Sequence, residues 1–297
     1  MALAHYLKVL PQYLIPQHTL SSAIHWLATR QTPWLKNTLI RGFIRLYDIN
    51  LEEAAQPDPQ VYPNFNTFFT RALKPEARPI ADTALVSPAD GTISQAGHID
   101  QNRLIQAKCH DYTLEALLGG DVHYAEQFKN GAYAVIYLSP RDYHRIHMPC
   151  DGQITAMTYI PGDLFAVNPA TVATVEGLFA RNERLILRID TETGPLCLVM
   201  VGALFVGSME TVWAGKVTPP YRPTLHHEDY RDRPHAFSKG EEIGRFNMGS
   251  TVILLTPPGS HDALADLNAP TPIKMGAPLQ PETHAKGGVD ETDHSHY

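Results

Sequence analysis

Three cysteines in 297 residues (Cys109, Cys150 and Cys197) are too few and too scattered for a disulfide framework. Such sparing use fits a reducing compartment. Acid is missing from the first 47 residues altogether. Lys8, Arg30, Lys36, Arg41 and Arg45 give that stretch a balance of +5, which leaves −12 on the other 250 residues of a chain of net charge −7. A basic N-terminus on an acidic body excludes the basic body that a nucleic-acid binder needs. It suits anionic lipid headgroups, whose attraction is worth about 1 kcal/mol per basic residue near the surface. A long clean apolar run is also missing. Val9 to Thr29 carries no charge and is nominally long enough to cross a bilayer. Pro11, Gln12, Pro16, Gln17, His18 and His25 break it up, and no basic segment followed by a pure apolar core and a small-residue cleavage site is present. We read this stretch as lying on a surface, neither a span nor a signal peptide.

What is present is an ordinary globular composition, 43% apolar and 19% charged, with room for one large domain or two average ones. Helical spacing marks Ser21–Thr29 and Trp34–Tyr47. In the second, Leu35, Leu39, Ile40, Phe43, Ile44 and Tyr47 share one face, and Lys36, Arg41 and Arg45 fall outside it. That face packs either on its own domain or on a membrane. Phe65–Leu73 reads as a further short helix capped by Asn64. After Pro79 the pattern turns to short β-branched runs between turn signals: Thr92–Gln95, Ala132–Leu138, Gln153–Ile160, Arg184–Ile189, Leu196–Val206, Thr211–Val217 and Thr251–Thr256. Leu114–Leu118 and Val122–Lys129 are the helical candidates among them. Ser87-Pro88-Ala89-Asp90-Gly91-Thr92-Ile93 is echoed by Met148-Pro149-Cys150-Asp151-Gly152-Gln153-Ile154, a turn-into-strand pattern that suggests a duplicated hairpin unit. The expected fold is α+β: a mostly antiparallel β core with duplicated hairpin units, preceded by amphipathic helices. The expected organisation is membrane-associating helices over 1–60, a β-rich domain over 61–280 and a disordered tail over 281–297.

Reactive side chains are densest in Ser139 to Asp151, after the strand-like run ending at Leu138, and strand ends are common places for catalytic groups. Three readings compete there. The residues are ordinary loop groups; or His144, His147 and Cys150 hold zinc; or the two imidazoles do acid–base chemistry with an Asp to orient one of them. On a helix the metal triplet would spread over too wide an arc, and Pro149 interrupts any helix reaching Cys150. Asp90, Asp142 and Asp151 are all candidate carboxylates. Farther on, Met248-Gly249-Ser250-Thr251 reads as a turn leading into a buried strand.

Taken in order, these segments resemble the phosphatidylserine decarboxylases of bacterial type. The resemblance rests on Pro88-Ala89-Asp90-Gly91, on Tyr137 through Pro149 with His144 and His147, on Pro161-Gly162-Asp163-Leu164-Phe165, on Leu178 through Arg184, on Glu210 through Gly215, and on Met248-Gly249-Ser250-Thr251. Met248 stands where the family usually has Leu, and Arg222–Ser238 matches no motif of it. The resemblance implies cleavage of the Gly249–Ser250 bond by Ser250, with His147 as its base and Asp90 orienting that base, an arrangement of the Ser-His-Asp kind. Ester formation, β-elimination and hydrolysis would leave a β chain (1–249) and an α chain (250–297) headed by a pyruvoyl group, with no metal. That carbonyl would form a Schiff base with the amine of phosphatidylserine and act as the electron sink for decarboxylation. His144 would return the proton, and phosphatidylethanolamine would leave. The resemblance also implies a homodimer of processed protomers, peripheral on the cytoplasmic face of the membrane and drawn to its anionic surface. Two rivals stay open: a zinc-dependent hydrolase built on His144, His147 and Cys150, and a non-catalytic lipid-binding β-domain.

Overall fold

The computed structural model describes residues 9–107, 110–204, 208–247 and 250–280. Cys109, Met248, Gly249 and the expected tail over 281–297 lie outside the described residues. The strands are β1 (Gly91–His98), β2 (Arg103–Ala107), β3 (His110–Thr113), β4 (Ala132–Leu138), β5 (Arg145–His147), β6 (Gly152–Ile160), β7 (Arg184–Thr191) and β8 (Gly194–Val201). They continue with β9 (Met209–Thr211), β10 (Gly215–Lys216), β11 (His226–Asp229), β12 (His235–Phe237), β13 (Glu242–Phe246), β14 (Ser250–Thr256) and β15 (Thr271–Ile273).

Nine strands form one antiparallel sheet in the order β11-β6-β7-β8-β14-β4-β1-β15, with β12 also pairing β6. A four-stranded sheet, β10-β9-β13-β5, and the β2–β3 pair complete the β structure. Alternation along β14 explains its sequence. Val252 and Leu254 enter one core, together with Ile146, Ile243 and Phe246 of the smaller sheet. Ile253 and Leu255 enter a second core with Leu114, Leu117, Phe128 and Phe179. A strand covered on both faces reads as an unbroken apolar run, and every residue of β14 is buried.

The echoed turns found in the sequence become equivalent structures. β1 begins at Gly91 and β6 at Gly152, each is followed two residues later by a core isoleucine, and each ladder shifts register directly after it, between Ile93 and Gln95 and between Ile154 and Ala156. Both glycines are sterically required: a Cβ would lie 2.4 Å from Tyr137 O at Gly91 and 2.8 Å from Asp190 O at Gly152. The motif-free stretch Arg222–Ser238 supplies β11 and β12, which cover the outer edge of β6.

Several boundaries differ from the sequence reading. Thr211–Val217 is two short strands around a turn, because Thr211 Oγ1 accepts from the Ala214 N–H (3.1 Å) and closes it. The expected strand Leu196–Val206 is Gly194–Val201, with Phe205 and Val206 outside the described residues. The short helix stops at Phe69, although Asn64 caps it as expected, accepting from Thr67 N (2.8 Å). N-terminal helices run Gln17–Ala28 and Pro33–Tyr47. The striped face of the second is turned inward: Ile40 is fully buried, and Leu39, Phe43, Ile44 and Tyr47 pack with it on Phe65, Phe68 and Phe69. Gln12 and Gln17 tie the preceding segment to the β domain, accepting from Ala166 N (2.9 Å) and Leu164 N (2.6 Å). No helix among the described residues is long and apolar enough to cross a membrane.

Candidate active site

Ser250 opens the central strand of the large sheet. It pairs with Leu138 of β4, and on its other side Thr251 pairs with Val201 of β8. By the same alternation that places Val252 and Leu254, its side chain lies on the face that carries β5 and β13. Ser250 is fully buried and its Oγ has no hydrogen-bond partner among the described residues. A buried hydroxyl left unpaired calls for an explanation.

Two chain connections bring the histidines to this end of the sheet. His144 follows the Ser250-paired Leu138 by six residues, and its carbonyl accepts from Phe246 N (3.0 Å), four residues before Ser250. The His144 ring is wholly buried and lies 4.2 Å, centroid to centroid, from Phe69. Its Nδ1 donates to Asp142 O (2.8 Å), since a carbonyl only accepts, so the neutral ring presents Nε2 as a bare lone pair. That nitrogen, like Ser250 Oγ, has no partner among the described residues. Burial, with the nearby Arg71 charge, pushes the imidazole down to about 3, against the raising effect of the Asp142 carbonyl.

His147 is held differently. Its Nδ1 donates to Gly240 O (2.8 Å), and its Nε2 accepts from the Tyr143 hydroxyl (2.9 Å). Burial lowers its pKa, while the Gly240 bond and the charges of Glu242 and Asp90 work upward. The expected contact with Asp90 is not made, because both ring nitrogens are already occupied. Asp90 is nevertheless adjacent: the His147 N–H donates to Pro88 O (2.8 Å). Its carboxylate instead receives Arg78 Nε (2.8 Å) and Nη2 (2.5 Å) together with the Met275 N–H (2.8 Å). Asp90 adds only the smallest of the pulls on the His147 imidazole, and the backbone carbonyl of Gly240 orients the ring. No sequence motif announces a backbone acceptor 93 residues away.

A cleft of about 1000 Å³ opens beside this group. Arg71, Arg78, Asp90, Arg141, Asp142 and Tyr143 are in its walls, whereas His144, His147 and Ser250 are not. Asn247, which the sequence reading passed over, is itself anchored three residues before Ser250. Its Nδ2 donates to Ser208 Oγ (2.8 Å) and its Oδ1 accepts from Asn66 Nδ2 (2.9 Å). Glu183 was also missed as a chemical group. It is fully buried, and burial pushes its carboxyl up to about 7.

The zinc arrangement does not assemble. His147 has no free ring nitrogen, and burial pushes the Cys150 thiol up to about 11, which disfavours the thiolate that a metal needs. No group of three or more His, Cys, Asp or Glu suited to a metal ion is present among the described residues.

Comparison with known proteins agrees with this geometry. The family profile described as phosphatidylserine decarboxylase matches residues 65–279, and a second, described as PSD, matches residues 7–48. A phosphatidylserine decarboxylase proenzyme of Nitrosococcus oceani is 52% identical over 280 residues, covering 93% of this chain and 92% of the relative. A protein of the same name from Alkalilimnicola ehrlichii is 53% identical over 253 residues (84% and 88% covered). One from Hahella chejuensis is 47% identical over 293 residues (98% and 99% covered). The chain belongs to the phosphatidylserine decarboxylase family.

Proposed function

We propose that the chain is a self-processing enzyme that converts phosphatidylserine to phosphatidylethanolamine with a pyruvoyl group made from Ser250. The observation that carries this reading is Ser250: a fully buried serine with an unpartnered hydroxyl, at the start of a strand bonded on both sides, on the face that bears the histidines. The surroundings fit a small carbonyl. Ser250 Oγ and His144 Nε2 are both buried polar atoms without partners among the described residues. Once formed, the pyruvoyl group supplies a ketone that takes up the substrate amine and accepts the electron pair released with carbon dioxide.

The chain's own residues prepare for this. Gly240 O fixes the His147 tautomer, leaving Nε2 as the base toward Ser250. Tyr143 O–H occupies that lone pair, so it has to relay the Ser250 proton or swing aside. The direct test is intact-mass analysis of purified protein. Two chains are expected, the smaller starting at residue 250 with a blocked N-terminus, and carbon dioxide and phosphatidylethanolamine are expected from phosphatidylserine vesicles. One unprocessed chain, inactive on those vesicles, would contradict the proposal.

The same reading places the enzyme peripherally on the cytoplasmic face of the membrane. Twelve large apolar side chains are exposed among the described residues, and half of them (Leu10, Tyr13, Leu14, Trp26, Trp34 and Leu46) fall between residues 10 and 46, the acid-free segment. Concentrated apolar exposure beside basic side chains is the pattern of an interfacial anchor. Replacing Trp26, Trp34 and Leu46 together by Ser is expected to weaken binding to phosphatidylserine vesicles by about 100-fold in a flotation assay, taking about 1 kcal/mol of lost insertion per residue. Activity on a short-chain, micellar substrate should persist. Unchanged flotation would remove these helices from the membrane contact.

A further inference from the structure

Each decarboxylation consumes a proton. The bond from Cα to the carboxylate breaks, carbon dioxide leaves, and the electron pair left behind forms a new C–H bond with one proton. His144 holds no spare proton at its free nitrogen, because the N–H of its neutral ring is bonded to Asp142 O and Nε2 is bare. Some other group has to keep one nearby.

Register supplies a candidate. Val201 of β8 pairs with Thr251 of β14 on one side and with Arg184 on the other. Carried one residue beyond the Thr251–Val201 pair, the register aligns Ser250 with Gly202, whose N–H donates to Glu183 O (2.8 Å). Glu183 alternates with Leu185 and Leu187, and Ser250 with Val252 and Leu254, and all four of these leucines and valine belong to the same core face. Two strand spacings separate the two residues, about 10 Å. The residue between them has no side chain: a Cβ on Gly202 would lie 3.7 Å from Glu183 Oε1. Leu164 Cδ2 packs nearer still, 3.4 Å from the same position, so Glu183 Oε1 and a leucine share the space over Gly202. Oε2 accepts from Tyr159 O–H (2.9 Å), whereas Oε1 is buried and has no partner among the described residues.

We propose that Glu183 stores the proton consumed at each turnover and supplies it, through intervening water, to the reacting centre, to be recharged from solvent between turnovers. The inference rests on the decarboxylase reading above. The electrostatics agree: burial dominates and holds the carboxyl at about 7, against the opposing hydroxyls of Tyr159 and Thr218. Tyr221, whose own ionisation Glu183 makes harder, is the other titratable group beside it.

The test compares wild type, Glu183→Gln and Tyr159→Phe, each confirmed by mass to be processed at residue 250. In wild type, kcat should fall as pH rises through about 7. Glu183→Gln should process normally, lose about 100-fold in kcat with little change in KM, and show no such limb. Tyr159→Phe removes a donor to the carboxylate and should move the limb to higher pH. Stability gives a readout independent of activity. The folded value lies above the ordinary 4.5, so the folded state binds the extra proton, and wild type should lose resistance to urea relative to Glu183→Gln as pH rises from 4.5 to about 7, the opposing His144 contribution being common to both. Wild type that does not decarboxylate phosphatidylserine overturns the functional reading itself. Active wild type with unchanged kcat and pH profile in Glu183→Gln overturns only the role of Glu183. If Glu183→Gln does not fold, an unmoved limb in Tyr159→Phe overturns it equally.

Discussion

Ser250→Ala is expected to leave the protein as one full-length chain with no decarboxylase activity, and to leave it at least as stable as the uncleaved precursor. The stability half of this prediction separates chemistry from misfolding. Ser250 Oγ is buried and has no partner among the described residues, and burying a hydroxyl in that condition costs about 1–3 kcal/mol. Removing the oxygen leaves the β14 ladder to Leu138 intact, since that ladder is made by backbone groups. Compared with the uncleaved precursor, the variant should therefore unfold in urea at an equal or higher midpoint, by up to about 1 kcal/mol, while a denaturing gel shows one band. Two bands from Ser250→Ala would mean that the bond is broken elsewhere or by another nucleophile. A sharply destabilised single band would leave the hydroxyl a structural group.

The same architecture would leave the fold standing after the proposed cleavage. The segment beginning at residue 250 contributes the central strand, flanked by β8 and β4, and feeds apolar side chains to both cores. Val252, Ile253, Leu254 and Leu255 are all fully buried. At about 1.5 kcal/mol or more for each such side chain, releasing the strand is prohibitive. Cutting at its first residue breaks one peptide bond and leaves the ladders of the remaining six residues in place.

Much of this was legible in the sequence because its causes are local. Apolar and β-branched runs gave β4 and β14 nearly to the residue, and the doubled Pro-x-Asp-Gly turn located two equivalent strand starts whose glycines have no room for a side chain. The pair His144 and His147 stood out by density, and Ser250 through its place in an ordered set of motifs. The failures were long-range. Assigning Asp90 as the partner of His147 followed the logic of a triad, but Arg78 and the Met275 N–H hold that carboxylate, and Gly240 O takes the imidazole proton. Both substitutes come from distant parts of the chain. Glu183 was invisible for a related reason: its raised pKa comes from burial, and its alignment with Ser250 from the register of three strands. Amphipathic spacing in Pro33–Tyr47 correctly found an apolar face without saying what covers it, and Phe65, Phe68 and Phe69 do.

The second large effect expected is at His144. His144→Ala should process at residue 250 yet decarboxylate about 10²–10⁴-fold more slowly, the usual range for losing a positioned acid–base group. Processing should survive because His144 is tied to β13 through its backbone carbonyl, which accepts from Phe246 N whatever the side chain. Truncating a buried ring against Phe69 should cost about 2–3 kcal/mol near neutral pH. That deficit should shrink in acid. The wild-type imidazole titrates at about 3 folded and 6.5 unfolded, so the unfolded state binds the extra proton and the imidazole's share of wild-type stability falls as pH drops between those values. By about pH 5 wild type should have lost about 2 kcal/mol that the alanine variant keeps. Urea midpoints at both pH values check this, and a constant gap would mean that the ring is not held neutral. If His144→Ala blocks cleavage, the division of labour between the histidines is wrong, and the geometry shows how: His144 Nε2 and Ser250 Oγ are both unpartnered, while His147 Nε2 is engaged by Tyr143. Combining His144→Ala with Glu183→Gln then asks whether they serve one proton transfer. Groups on a single path should lose no more together than the worse single variant, whereas independent groups should multiply their losses.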